Sequence, residues 1–244
     1  MSKAIRNDGR TTENAKICVF CLNCPASEAE HVLPKSWYPS TTPKTVQRVT
    51  VPVCGVCADE FEKTERAFKI PLLMGLEPNH ADMAGVYEAF KRSWQFDKAS
   101  SHKEAGHRAG LFRKMSRQVR FVVRPAPSRL EVPVRTPAGL YIKASPAMTL
   151  DRNVAARICE KFAKGFHFND YGTPIPASTP IGFFWGKDVA PEVRASFLPV
   201  PVNGRLAPGL RYRVLKEGDC SIWLFLLWGQ VEFGALVGKP QSAE

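Results

Sequence analysis

The chain has 244 residues, with 34 Lys and Arg against 23 Asp and Glu, so its formal net charge is +11. Hydrophobic residues make up 44% and charged residues 23%, a composition that builds an ordinary buried core and excludes a wholly disordered chain. No apolar run reaches 18 residues, and Ile222 to Leu227 is strand length, so no transmembrane helix is expected; the charged start MSKAIRNDGR lacks the apolar centre of a secretory signal. A cytoplasmic protein without a membrane partner is therefore expected. In that reducing compartment clustered cysteines read as metal ligands before disulfides.

In chain order, residues 1–16 are polar and aperiodic and are expected to form a flexible arm. Residues 17–75 hold five of the seven cysteines, with turn-rich loops at 23–27 and 39–45. From Asp59 the pattern turns helical, with Phe61, Thr64, Phe68 and Leu72 three or four apart, and Pro71 is expected to bend or end that helix. A second helix is expected over about 79–96, where Met83, Val86, Tyr87, Phe90 and Trp94 mark one face. A third covers about 101–118 and runs into a strand-like segment, Val119 to Val123. Residues 76–130 thus read as a helical segment, after which Pro125, Pro127 and Pro133 interrupt the chain.

The remainder, 131–244, reads as a C-terminal α+β domain. Leu140 to Lys143 suggests a short strand. Asp151 caps a strong helix carrying Val154, Ala155, Ile158, Cys159 and Phe162, with Gly165 and Gly172 flanking its exit. Ile181 to Trp185, Arg211 to Leu215, Ser221 to Leu227 and Gln230 to Val237 read as strands, the last two joined in an antiparallel hairpin about Gly229. Cys159 and Cys220 stand alone and read as small buried hydrophobes. The fold class predicted is α+β, a small metal-bound module followed by helices and a part with an antiparallel sheet.

The chemistry concentrates near the N-terminus. Cys18-Val-Phe-Cys21 and Cys54-Gly-Val-Cys57 are two knuckles, each presenting two thiolates from a tight turn. Together they make a four-sulfur tetrahedral site of the kind that holds structural Zn2+, closed to substrate and therefore inert. Cys24 forms a competing pair with Cys21; the outer assignment is preferred and Cys24 is treated as spare. Between the knuckles stands Glu30-His31-Val-Leu-Pro-Lys35-Ser-Trp37. A carboxylate beside an imidazole can hold a divalent cation and accept a proton from water, or His31 can simply pack on the loop.

The order of these motifs, CxxC, then EHVLPKSW, then TVPVC entering a second CxxC at a helix start, resembles the HNH endonucleases of the zinc-stapled type. The resemblance spans roughly residues 17–70. It implies a ββα-metal fold, a hairpin and helix clamped around one catalytic Mg2+ or Mn2+, and a DNA substrate, with RNA offering the same phosphodiester. It also implies that Glu30 binds that cation and that His31 is the general base. The third ligand, in that family an Asn or His at the helix start, is Ala58 here, so Asp59 is the replacement expected, with Glu60 and Glu62 as further options. Asp59 serves equally as a helix N-terminal charge. The C-terminal half is similar to companion regions of some bacterial HNH proteins, with no mechanism attached.

Charge is uneven. Residues 1–110 carry 15 basic and 13 acidic residues, whereas 111–130 carry six basic residues and no acid. Lys35, Arg113, Lys114, Arg117 and Arg120 are the expected phosphate contacts, the last four as part of a helical stripe that positions a backbone without reading bases. The function expected is a metal-dependent endonuclease; the other reading is a non-catalytic zinc module binding nucleic acid or protein.

Overall fold

The computed structural model describes residues 16–122, 132–197 and 209–238. Apart from Lys16, the expected N-terminal arm lies outside them, as do Pro125 and Pro127. The described residues form a mixed α+β fold of five α-helices and three antiparallel sheets.

A hairpin comes first. Strand β1 (Glu28–His31) pairs with β2 (Thr50–Val53), Glu28 opposite Val53 and His31 opposite Thr50. Val51 and Val53 alternate into the core, the period-2 burial of a strand covered on one face. Helix α1 (Gly55–Gly75) starts at once, with Cys54 as its N-cap and Cys57, Phe61, Phe68 and Leu73 on its buried side. It runs through Pro71, so the proline does not end it. A proline removes one helical hydrogen bond, and one turn from the end that loss is outweighed by Leu73, fully buried in the core.

The helix expected over 79–96 is broken. Residues Ala81–Met83 make a 3₁₀ turn, α2 is only Val86–Arg92, and Phe96–Lys98 makes another turn. Gly85 separates them with φ of 76°, where a Cβ would lie 2.6 Å from the Ser40 hydroxyl. Helix α3 (His102–Ser116) begins where Ser101 accepts a hydrogen bond from the Glu104 amide, close to the predicted span. Strands β3 (Arg120–Val122), β4 (Val132–Arg135) and β5 (Tyr141–Ala147) form a sheet with β5 in the middle. Pro133, expected to interrupt the chain, lies in β4, an edge strand where one backbone N–H is free to be missing.

Helix α4 (Arg152–Tyr171) occupies the centre. Asp151 accepts from the Asn153 amide at 2.8 Å and Gly172, at φ of 72°, ends the helix. Ile158, Cys159, Phe162 and Phe166 are fully buried. They face the third sheet, β6 (Ile181–Trp185), β9 (Val231–Val237), β8 (Cys220–Leu227) and β7 (Leu210–Glu217) in that order; a short helix, α5 (Pro191–Ser196), follows β6. Residues of β8 alternate in burial, and Phe225 meets Phe162 with ring centroids 5.6 Å apart. The β8–β9 hairpin turns at Trp228 and Gly229, both with positive φ, the conformation that matches strand twist.

Gly165 does not flank the helix exit as expected but sits inside α4, where an added Cβ would meet Val32 at 2.5 and 2.8 Å. Helix and hairpin approach as closely as they do because this residue has no side chain. Gly165→Ala gains up to about 1 kcal/mol in helix propensity, yet should destabilise the protein by about 1–3 kcal/mol net through overpacking against a stiff, buried valine. Denaturant unfolding measures it, and an unchanged or raised midpoint would contradict the close approach.

Trp37 closes the core: it stacks on Phe68 at 5.7 Å and its carbonyl accepts from the Trp228 indole at 2.8 Å. Buried residues from Cys18 to Val237 therefore belong to one continuous cluster, shared by the hairpin end and the C-terminal sheet.

Candidate metal centre and the Glu30–His31 site

Each knuckle is shaped by backbone hydrogen bonds. The Leu22 amide donates to the Cys18 carbonyl at 3.0 Å, with Leu22 itself at φ of 58°, and the Val19 amide donates to the Pro52 carbonyl, tying the first knuckle to β2. The second knuckle is the N-terminus of α1, where the Ala58 amide donates to the Cys54 carbonyl at 3.1 Å. The sulfur atoms of Cys18, Cys21, Cys54 and Cys57 all lie within 4.8 Å of one another, and Cys21 and Cys54 are 3.8 Å apart. A tetrahedron of thiolates about 2.3 Å from a zinc ion has edges of roughly 3.8 Å. The tetrad thus has the geometry to hold a metal ion such as zinc, and Cys24 stands outside it. The Asn23 backbone amide holds the Cys21 thiol down to about 6, close to the thiolate a metal requires.

Helix α4 braces this end. The Lys164 ammonium donates to the Phe20 carbonyl at 3.0 Å and pairs with Glu160 at 2.7 Å, while Phe20 packs edge-on against Phe61 at 4.6 Å.

His31 closes β1, half-buried, with its Nδ1 buried and making no hydrogen bond. Burial, then the neighbouring Lys35 charge, lowers its pKa below 6.5 against the opposing pull of Glu30; Arg48 and Lys161 act in the same direction as Lys35. That shift favours the neutral imidazole.

Glu30 is already engaged. Its Oε1 accepts from the Lys161 ammonium at 2.6 Å, and the same ammonium pairs with Glu65 of α1. Lys161, contributed by α4, is 0% exposed. Burial raises the pKa of Glu65 despite the paired lysine. Asp59, by contrast, is exposed; Glu60 pairs with Arg157 and Glu62 with Arg66. Among the described residues, the cysteine tetrad is the one group of three or more His, Cys, Asp or Glu side chains whose ligand atoms converge this closely. Glu30, His31 and Asp59 do not converge, so the set expected for a catalytic Mg2+ or Mn2+ does not fit one. The reason is helical phase. Asp59 is turned about 100° from position 58, whereas Glu65, seven residues on from Ala58, returns to nearly the same face two turns later. That seven-residue spacing was the available signal for Glu65. Nothing local marked Lys161, which is 131 residues from Glu30.

The basic stripe is also divided. Helix α3 ends at Ser116, so Arg113 and Lys114 lie on the helix, Arg117 is its C-cap and Arg120 belongs to β3; all four are exposed. Lys114 lines a cleft of about 880 Å³ between α1, α2 and α3, together with Glu65, Lys69, Trp37 and His107. Arg117 and Arg120 line a second cleft of about 410 Å³ against Pro71 and Asp151. Lys69 donates to the Ser36 carbonyl at 2.7 Å, and burial brings its pKa down to about 8. Lys35 is exposed in the 3₁₀ turn that follows β1. No described helix is long and apolar enough to cross a membrane. No family model, curated protein or solved structure matches the chain.

Proposed function

We propose that the chain is an HNH-type endonuclease that hydrolyses phosphodiester bonds of DNA, with a structural zinc ion on Cys18, Cys21, Cys54 and Cys57 and with His31 as general base. One observation carries the reading. An imidazole whose surroundings lower its pKa follows an acidic residue in sequence at the end of a hairpin that leads straight into a cysteine-capped helix. A neutral imidazole takes a proton from water at physiological pH, and burial and Lys35 favour that state. Lys35 and Arg48, the cations that help lower its pKa, also make the surroundings attractive to a phosphate. Lys114 in one cleft, Arg117 and Arg120 in the other, and exposed Arg113 supply further positive charge along the α3 side.

The test is nicking of supercoiled plasmid by zinc-loaded protein, with and without added Mg2+ or Mn2+, comparing wild type with His31→Ala. Cleavage by the wild type that collapses in the variant supports the reading. Cleavage unchanged by the substitution removes His31 from the mechanism. A second reading, a non-catalytic zinc module that binds nucleic acid, is favoured by the engagement of Glu30 with Lys161 and by Ala58 at the third-ligand position. DNA binding without cleavage under any of these conditions would select it.

A further inference from the structure

We propose that the Lys161 ammonium is the resident cation of the Glu30 seat, standing where an HNH-type site would take a divalent metal, so that Glu30 and Glu65 bind no Mg2+ or Mn2+ in this protein. The inference deepens the proposed function and rests on its reading of Glu30 as the acid of that site.

Three observations carry it. The first is placement: the ammonium lies 2.6 Å from Glu30 and also contacts Glu65, the carboxylate that shares the face of α1 with position 58. Two carboxylates from the hairpin and its helix therefore converge on one cation, and that cation belongs to the chain. The second is burial. Lys161 is 0% exposed and lies over the Phe61 ring at 5.1 Å, so removing it from its partners would strand a charge in an apolar setting. The third is the rigidity of the element that delivers it. One turn before Lys161, Arg157 pairs with Glu60 and Glu160; three residues after it, Lys164 holds the Phe20 carbonyl; four residues after it, Gly165 is pressed against Val32. The backbone of α4 cannot withdraw from α1 and the hairpin end without breaking the Arg157–Glu60 pair, the Lys164 hydrogen bond to Phe20 and the contact of Gly165 with Val32.

A divalent ion on the remaining Glu30 oxygen would sit roughly 4 Å from the ammonium, and repulsion across a poorly solvated gap opposes it. Mg2+ also gives up its water reluctantly, and a carboxylate already shared with lysine is a poor reason to do so. The arrangement also makes α4, from the C-terminal half, an integral part of the candidate site: it supplies the buried ammonium that Glu30 and Glu65 share.

The experiment measures Mn2+ binding by electron paramagnetic resonance on the full, zinc-loaded chain. Wild type and Glu30→Gln are expected to bind Mn2+ equally weakly, with no difference between them up to millimolar metal. Lys161→Met, which keeps the bulk and removes the charge, is expected to acquire a Mn2+ site at least tenfold tighter than any in the wild type. Adding Glu65→Gln to Lys161→Met should abolish that gain. The thermal midpoint of Lys161→Met alone should rise with added Mn2+ while that of the wild type stays constant. A wild-type Mn2+ site that disappears in Glu30→Gln would overturn the inference, and this comparison stands even if Lys161→Met fails to fold. A folded Lys161→Met that gains no site would overturn it as well. Because the readout is metal binding, it is independent of cleavage: inactive protein would defeat the proposed function and leave this result intact, whereas a Glu30-dependent Mn2+ site would do the reverse.

Discussion

Replacing Cys57 with serine should release the metal and cost the protein its stable fold. Structural zinc sites of four thiolates contribute on the order of 10 kcal/mol of apparent free energy at neutral pH, comparable with the whole stability of a domain. In this chain the tetrad is continuous with the main core, since Cys18, Cys54 and Cys57 belong to the cluster that includes Phe61 and Phe68. Loss of one ligand should therefore reach beyond the hairpin. The wild type is expected to carry one zinc per chain by elemental analysis, and Cys57→Ser markedly less, with a thermal midpoint lower by ten degrees or more, on the order of several kcal/mol. A strong chelator should reproduce the effect in the wild type. Cys24→Ser and Cys220→Ser should keep full zinc, because neither sulfur belongs to the tetrad. Full occupancy in Cys57→Ser would refute the four-sulfur assignment.

The second large effect concerns His31. On the proposed function, His31→Ala should lower plasmid nicking by about 10²–10⁴-fold, the usual range for removal of a general base, without changing zinc content. The pH profile of the wild type carries more information. A base works when deprotonated, and burial and Lys35 place this imidazole below 6.5. Cleavage should rise with pH on the acid side and level off by about neutrality, earlier than an unperturbed histidine would allow. Lys35→Ala removes the second-ranking cause of that depression, so the rise should move to higher pH. Lys35 is exposed, so the displacement should shrink as salt is added. A profile that falls through this range, or one that ignores Lys35 at low salt, would remove His31 as the base. Both variants keep the β1–β2 pairing, which runs through the backbone.

What could be read from the sequence was information carried within a few residues. Two CxxC knuckles announced a metal site because each pair is set by its own turn, and the structure closes them into a tetrad. Asp151, the apolar spacing after it and Gly172 delimited α4 because capping and amphipathic burial are local rules. Gly229 marked the last hairpin because only a positive-φ turn suits twisted strands.

Where the reading went astray, a contact with a distant partner had overruled a local rule. Pro71 stays inside α1 because of the core beneath Leu73, Gly85 breaks a periodic segment against Ser40, and Gly165 serves the approach of Val32 rather than a helix end. The basic stripe parts because β3 pairs with β5 and leaves no room for the helix to continue beyond Ser116.

The seat beside His31 is the clearest case. Glu30, His31 and the acids of α1 were visible as candidates, yet choosing Glu65 over Asp59 needed the phase of the helix against the hairpin. Lys161 looks in sequence like one solvated lysine on an amphipathic helix. Its burial between two carboxylates is decided by the packing of α4 across the whole chain, because the cost of burying a charge is met by partners that only the tertiary fold assembles. The sequence by itself determined that this protein has two CxxC knuckles able to hold a metal and the adjacent Glu30 and His31 between them; the tertiary structure decided that Glu30 pairs with Lys161.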